Sequence, residues 1–241
     1  KRLLQYDDVL NKQRQVIYEV RNQAIHSETP GEIIFEMVEE EIVDRLETLP
    51  PNPLALENSG ELQGLLDWIN TTFPVSVRLE DLGESAAAGT KDEDVLVAMC
   101  DLLLEKVKSA YAVKASLEDP ESFSQLERYV IIQSIDRHWQ DHLTEMEELR
   151  RSVGLRGYGQ KDPLSEYKSE AYRYFQELME NTRGQICTGV FRSSTNLESF
   201  QNMLSVLSKD AHQQGPVEGG GSLLQQQAVL AQQRARERMV G

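Results

Sequence analysis

The stretch VGLRGYGQKDP, residues 153–163, stands between two long helical patterns and decides how the chain folds. Its glycines first suggest a phosphate-binding loop, because Gly154 and Gly159 have the spacing of the P-loop. That motif requires lysine directly after the second glycine and then a hydroxyl residue, whereas here Gln160 intervenes and an aspartate follows the lysine. A dinucleotide-binding fingerprint fails because its third glycine is missing, and both motifs need a preceding strand. The stretch is therefore not a nucleotide site.

Two apolar stripes at helical spacing flank this stretch. The first begins after DPES at residues 119–122, a helix-start motif, and meets no glycine or proline before Gly154. It predicts a helix of ~30 residues, or ~45 Å, which we expect Gly154 to end in the left-handed conformation. Asp162 is predicted to cap the return helix, with proline at its first position. Two long helices joined by a short loop form an antiparallel hairpin.

The apolar positions of this hairpin repeat every three or four residues. In the first helix they are Leu126, Val130, Ile132, Ile135, Trp139, Leu143, Met146 and Val153. In the second they are Leu164, Tyr167, Ala171, Tyr174, Leu178, Met179 and Ile186.

The predicted tip, residues 154–162, combines positive charge with one aromatic side chain. Tyr158 lies between Gly157 and Gly159 and has few local apolar partners to bury it. The basic residues at the tip and on its approach are Arg150, Arg151, Arg156 and Lys161. These features favour a contact surface, and an ordinary solvated turn is the alternative.

The rest of the chain also predicts an all-α fold. Residues 1–28 carry the stripe of a first long helix: Leu3, Tyr6, Leu10, Gln13, Ile17, Val20 and Ala24. Gln13 and Tyr6 make that stripe imperfect, which favours a helix packed on several neighbours over a coiled coil. Residues 29–118 read as a small helical domain, whose first helix starts at TPGE with Thr29 as its cap. Residues 193–241 contain GPVEGGGS and a Gln-rich end, typical of a flexible tail.

Composition excludes several classes of protein. The 241 residues carry a formal net charge of −15, which argues against general nucleic-acid binding. The only cysteines, Cys100 and Cys187, form no disulfide framework or zinc motif and fit a reducing, cytosolic setting. No apolar run approaches the ~20 residues of a membrane span. Because the chain starts inside a periodic pattern without methionine, we expect it to be a piece of a longer protein.

The sequence HWQDH resembles a zinc-binding helix, because His138 and His142 are four residues apart on one face. A catalytic zinc site needs a third protein ligand, and the remaining histidines, His26 and His212, lie in weak contexts. We interpret His138 and His142 as structural residues at the edge of a packed helix face. A metal-dependent hydrolase that uses them remains the enzymatic alternative.

Two segments carry a resemblance to a known family: YDDVLNKQRQVIYEVRN at residues 6–22 and DRHWQDHLTEMEELRRSVGLRGYGQKDPLSEYKSEAYRYF at residues 136–175. Both resemble the SecA family, the motors of bacterial preprotein export, over about residues 1–192. The resemblance implies that residues 1–28 belong to a long scaffold helix and that residues 29–118 form the helical wing domain. It implies that residues 119–192 continue the scaffold and contain the two-helix finger.

The resemblance also assigns roles to the finger tip. Tyr158, with Leu155, Gly157 and Gly159, matches the tip that contacts the translocating polypeptide. Arg156 and Lys161 match the basic positions that face the SecY channel. The implied function is that of the C-terminal region of a translocase motor, whose finger couples ATP-driven motion to the polypeptide.

The implied cofactors and partners follow from the same family. ATP and Mg²⁺ belong to nucleotide-binding domains of the longer protein, a protein-transporting ATPase, so we expect this fragment to be inactive alone, with no catalytic, cofactor-binding or metal-binding residue. Its implied partners are the SecY channel complex, unfolded preprotein, the remainder of the motor and, as an additional surface, acidic lipid, but not nucleic acid. The implied location is cytoplasmic and peripheral to the inner face of the plasma membrane. The alternative is a helical adaptor whose basic hairpin docks a partner or acidic lipid, with no motor attached.

Overall fold

A computed structural model describes residues 2–50, 53–55, 60–86, 92–156 and 162–195. These residues form seven α-helices and no strand, as the all-α prediction requires. The helices are α1 (Arg2–His26), α2 (Pro30–Glu47), α3 (Gly60–Thr72), α4 (Leu79–Ala86), α5 (Asp92–Ser116), α6 (Pro120–Arg156) and α7 (Pro163–Arg192). A short 3₁₀ turn covers Pro53–Ala55.

The chain divides into two compact units. The first joins Lys1–Thr48 to Glu118–Thr195 and so contains α1, α2, α6 and α7. The second comprises Leu49–Leu117 among the described residues. The sequence analysis began the wing at residue 29, whereas the boundary between the units falls after Thr48. The reason is that α2 packs against α6 and α7, where its residues Ile34, Val38 and Ile42 are fully buried.

In the first unit α6 and α7 make the most extensive packing, and α1 lies along both of them. The direction of α1 follows from its polar contacts with α6. Asp7, near the start of α1, pairs with Arg150 near the end of α6. The carbonyl of Ser27, just after α1, accepts a hydrogen bond from Arg128 near the start of α6. The two helices are therefore antiparallel.

The start of each hairpin helix follows its sequence signal. The Asp162 carboxylate accepts a hydrogen bond from the backbone N–H of Ser165, and Pro163 is the first residue of α7. The Asp119 carboxylate accepts from the backbone N–H of Ser122 at 2.9 Å. Both aspartates thus satisfy N–H groups that lack a partner within the helix.

Two details at helix ends differ from the prediction. Thr29 precedes α2, but its hydroxyl donates to the Glu32 carboxylate at 2.8 Å and accepts no backbone N–H. Gly154 does not end α6, which continues to Arg156 and reaches 37 residues. A single glycine inside a helix costs only ~1 kcal/mol relative to alanine, and the fully buried Val153 holds this last turn in place.

The second unit consists of α3, α4 and the longer α5 and buries apolar side chains. On α3 the buried residues are Leu62, Leu65, Leu66 and Ile69. The segment after α3, which contains FPVSV, is an irregular connector, and the Asn70 side chain holds it by two hydrogen bonds to the backbone of Val77. The connector leads into α4, a helix that the sequence analysis did not predict, which packs against α5.

Candidate functional site

The candidate site is the hairpin of α6 and α7, and its predicted tip lies mostly outside the described residues. Leu155 and Arg156 form the last turn of α6, but their side chains are not described. The other predicted tip residues, Gly157, Tyr158, Gly159 and Lys161, also lie outside the described ranges. The structure therefore describes what supports the tip.

Behind the tip lies a compact apolar cluster, which we call the distal cluster: Met146, Leu149, Val153, Tyr167 and Ala171. The first three residues come from α6 and the other two from α7. Residues of α1 cover the cluster, and the ring of Tyr6 meets the ring of Tyr167 edge to face with centroids 4.7 Å apart. The distal part of the hairpin is therefore a three-helix structure, because α1 supplies one wall of its core.

A polar bridge connects the same three helices at one level. The side chain of Gln13 on α1 is only 7% exposed, and its Nε2 donates to the backbone carbonyl of Ala171 on α7 at 2.9 Å. Its Oε1 lies 3.0 Å from Nε2 of His142 on α6. An amide oxygen can only accept, so His142 Nε2 carries the proton and donates. We call these three groups the Gln13 bridge.

His142 is neutral at physiological pH because it is buried. Its side chain is 1% exposed, and burial lowers the pKa of the imidazole to about 4 from an ordinary 6.5. The rings of Trp139 and Phe175 lie 5.5 and 6.0 Å from it. The histidine thus lies inside the packed interface and not, as predicted, at its edge. Among the described residues no cluster of three His, Cys, Asp or Glu side chains is arranged to hold a metal.

Ion pairs surround the Gln13 bridge on the partly exposed surface. Arg21 of α1 forms a two-pronged pair with Asp136 of α6 at 2.8 and 3.2 Å. Arg150 pairs with Asp7, and Arg151 pairs with Glu147 one turn earlier on α6. Two of the four basic residues predicted at the tip and its approach are therefore paired with carboxylates.

At the other end of the hairpin, α6 and α7 approach each other closely. A Cβ atom placed on Gly189 of α7 would lie 2.9 Å from Val130 Cγ1 of α6, so only glycine fits without a shift.

Burial raises the pKa of Glu127, on the same part of α6, to about 7, against the opposing charge of Arg128. Burial, assisted by the Glu41 carboxylate, raises the pKa of the Cys187 thiol to about 12. This thiol is therefore not a nucleophile at neutral pH.

Here α2 is attached to α7 by charge. Arg183 of α7 pairs with Glu40 at 3.0 Å and with Asp44, and its Nε lies 3.7 Å from Glu41. The guanidinium is largely shielded while Glu40 and Asp44 are about half exposed. One arginine thus adds several ionic contacts beside the apolar face by which α2 packs on the hairpin.

The sequence analysis missed both Gln13 and Arg183 as connecting residues. Gln13 gave a signal, because it is a polar residue at a core position of the α1 stripe. Arg183 gave none, because a charged residue on a helix is usually solvated.

In the part of the chain that the structure describes, no helix combines the length and apolar character that crossing a bilayer requires.

Comparison with known proteins agrees with the resemblance. The sequence model of the SecA wing and scaffold domain matches residues 1–194. The protein translocase subunit SecA of Heliobacterium modesticaldum is 34% identical over 192 residues, which cover 80% of this chain and 22% of that protein. The protein of the same name from Ralstonia nicotianae is 36% identical over 191 residues, covering 79% of this chain and 20% of that protein.

This chain thus spans about a fifth of the length of the relatives it matches. The match includes α1, α2, both hairpin helices and the second unit. On this evidence the chain belongs to the SecA wing and scaffold family.

Proposed function

We propose that this chain is the C-terminal region of a SecA-type preprotein translocase. In this proposal the tip of the α6–α7 hairpin contacts the translocating polypeptide at the SecY channel and couples ATP-driven motion to it. The observation that carries the proposal is a hairpin of two helices, 37 and 30 residues long, braced by α1 near its tip. Such a lever transmits displacement because the distal cluster prevents its two helices from separating.

The proposed roles of the tip residues follow their chemistry. Tyr158 grips varied sequences through its amphipathic ring, with Leu155, Gly157 and Gly159 forming the surface beside it. Arg156 and Lys161 face the channel. No catalytic group is needed, because the hairpin moves a polymer and makes or breaks no covalent bond.

We place the nucleotide-binding components outside this chain and the helical wing within it. ATP and Mg²⁺ bind in the nucleotide-binding part of the longer protein. That part moves α1. The second unit, Leu49–Leu117, is the helical wing. The protein works at the cytoplasmic face of the membrane, where acidic lipid is an additional contact surface.

The alternative function, a basic hairpin that docks a partner or acidic lipid without a motor, has less support. It requires free positive charge near the tip, and both Arg150 and Arg151 are paired with carboxylates. Lys161→Glu separates the two functions. In an adaptor it should abolish binding to acidic vesicles, whereas in a translocase it should weaken channel docking, most at low salt where exposed charges are least screened.

The decisive test is Tyr158→Ala in the full-length protein, assayed by preprotein transport into vesicles and by thermal unfolding. We expect transport to fall while stability changes by no more than ~0.5 kcal/mol, as at surface sites. Tyr158→Trp should keep more transport than Tyr158→Ala, because contact area carries the grip. Tyr172→Ala is the matched control, since Tyr172 is an exposed tyrosine on the shaft of α7. Normal transport by Tyr158→Ala would refute the proposal.

A further inference from the structure

We propose that Gln13 is a positioning residue that sets the register between α1 and both hairpin helices, so that α6 and α7 follow a displacement of α1 as one body. This inference rests on the function proposed above, because it assigns how motion reaches the hairpin.

The first argument is that one side chain reaches two helices. Gln13 donates to α7 and accepts from His142 of α6, partners that are 158 and 129 residues away in sequence. The acceptor on α7 is a backbone carbonyl, which moves only if the helix itself moves. The amide therefore senses the position of the helix and not that of a flexible side chain.

The second argument concerns direction. Apolar contacts such as those of the distal cluster are non-directional. They therefore hold α1 against the hairpin but only weakly oppose its sliding along the helix axis. A shift of α1 by one residue, about 1.5 Å along its axis, would break both hydrogen bonds of Gln13. Each buried polar group left without a partner destabilises the shifted arrangement. The bridge therefore selects one register among those that the apolar surface allows.

The third argument is that the neighbouring contacts cannot do this alone. The pairs Arg21–Asp136 and Asp7–Arg150 also join α1 to α6, but their side chains are more than a third exposed. Exposed ion pairs contribute little and weaken with salt. Neither pair reaches α7, whereas the Gln13 bridge does.

The surroundings of His142 keep its protonation state, and with it the hydrogen bond to Gln13, constant near neutral pH. The groups in ring or hydrogen-bond contact with it are Trp139 on its own helix, Phe175 of α7 and the Gln13 amide of α1, all of them uncharged. The imidazole stays neutral and its Nε2 proton remains available to Gln13 at neutral pH. The contact is therefore insensitive to pH near neutrality.

The experiment uses the full-length protein with Gln13→Met, which keeps the approximate volume of the side chain and removes both hydrogen bonds. We expect ATP hydrolysis to persist while the amount of preprotein moved per ATP falls at least about fivefold, the lower end of typical coupling energies. Gln15→Met is the matched control, because Gln15 is exposed on the same helix. His142→Gln should retain more transport per ATP than His142→Leu, because its amide can still donate to Gln13.

A second measurement does not depend on transport. Spin labels at Lys12 of α1 and Lys168 of α7, both exposed, placed in a background without the native cysteines, report the distance between the two helices. One narrow distance is expected with Gln13, and a shifted or broadened distribution with Gln13→Met at a temperature where both proteins remain folded. An unchanged distribution would overturn the inference.

The two assays separate this inference from the proposed function. Loss of transport in Tyr158→Ala with full transport per ATP in Gln13→Met would refute the positioning role and leave the finger function intact. Normal transport in Tyr158→Ala would refute the finger function, and the label distance would then decide by itself whether Gln13 sets the register.

Discussion

The two halves of the hairpin are held together by different physical means. In the distal half, towards the tip, α1 covers a core of rings and aliphatic side chains and adds the neutral Gln13 bridge. In the basal half, the Val130 side chain packs on the backbone of Gly189, and α2 is attached through buried apolar residues and the ion pairs of Arg183.

Because of this difference, the distal contacts fix the register of α1 on the hairpin, whereas the basal contacts fasten α2 to it. Buried, neutral, directional contacts fix the distal half in one register and are insensitive to salt. The basal half also has buried apolar contacts with α2, made by Ile34, Val38 and Ile42, and adds ion pairs whose carboxylates are partly exposed and therefore screened by ions. Force applied to α1 should be transmitted mainly through the distal half, where α1 contacts both hairpin helices.

The largest effect is expected from Tyr167→Ala in the distal half. Tyr167 is 2% exposed and contacts Tyr6 of α1, so truncating it should cost roughly 3–5 kcal/mol, as for other buried aromatic residues. The measurement is urea unfolding followed by the fluorescence of Trp139 in a Trp68→Phe background, because Trp139 is in the first unit and Trp68 in the second.

Tyr172→Ala is the control on the same helix. Tyr172 is 64% exposed, and its replacement should change the free energy of unfolding by no more than ~0.5 kcal/mol. Similar losses in the two variants would mean that the distal cluster is not the core of the hairpin.

The positions of most helices could be predicted from the sequence, but the contacts that fix one helix against another could not. The stripe of α1 placed Ile17 and Ala24 correctly in the core, because three–four spacing is a local property. The same stripe made Gln13 look like an imperfection, since its partners on α6 and α7 depend on how three helices are aligned. Gly154 was wrongly predicted to end α6, because packing of the neighbouring Val153 outweighs the local preference of glycine.

The second prediction concerns pH, because each half contains one buried titratable group on α6. The pKa of His142 in the folded state, about 4, is below its ordinary value of 6.5, so its contribution to stability is complete above pH 6.5 and is lost as pH falls towards 4. The pKa of Glu127 is about 7, above its ordinary 4.5. Its contribution is complete below pH 4.5 and is lost as pH rises towards 7.

The two contributions therefore oppose each other between about pH 4.5 and 6.5, and each should amount to about 3 kcal/mol over its full range. Replacing one group should reveal the other. In Glu127→Gln the free energy of unfolding should rise more steeply with pH than in wild type, and in His142→Gln it should rise less or fall. Urea titrations at half-unit pH steps measure both slopes. Parallel pH profiles for all three proteins would show that neither group is buried in the way described.

The smallest effect, and the sharpest test of the basal half, comes from two glycines on one helix. A Cβ on Gly189 would lie 2.9 Å from Val130 Cγ1, whereas a Cβ on Gly184 meets nothing within 4 Å. Gly184→Ala should stabilise the hairpin by ~0.5–1 kcal/mol, because alanine loses less backbone entropy in a helix. Gly189→Ala has the same intrinsic gain but must displace the Val130 side chain, and overpacking of this kind costs typically ~1–3 kcal/mol. The net change should therefore be a loss of about 0–2 kcal/mol, opposite in sign to that of Gly184→Ala.

Val130→Ala removes the clashing methyl group, so Gly189→Ala should cost less in that background than in wild type. A double-mutant cycle measures this coupling directly. If both glycines respond alike and show no coupling to Val130, the Val130 side chain does not pack on Gly189 in the way described.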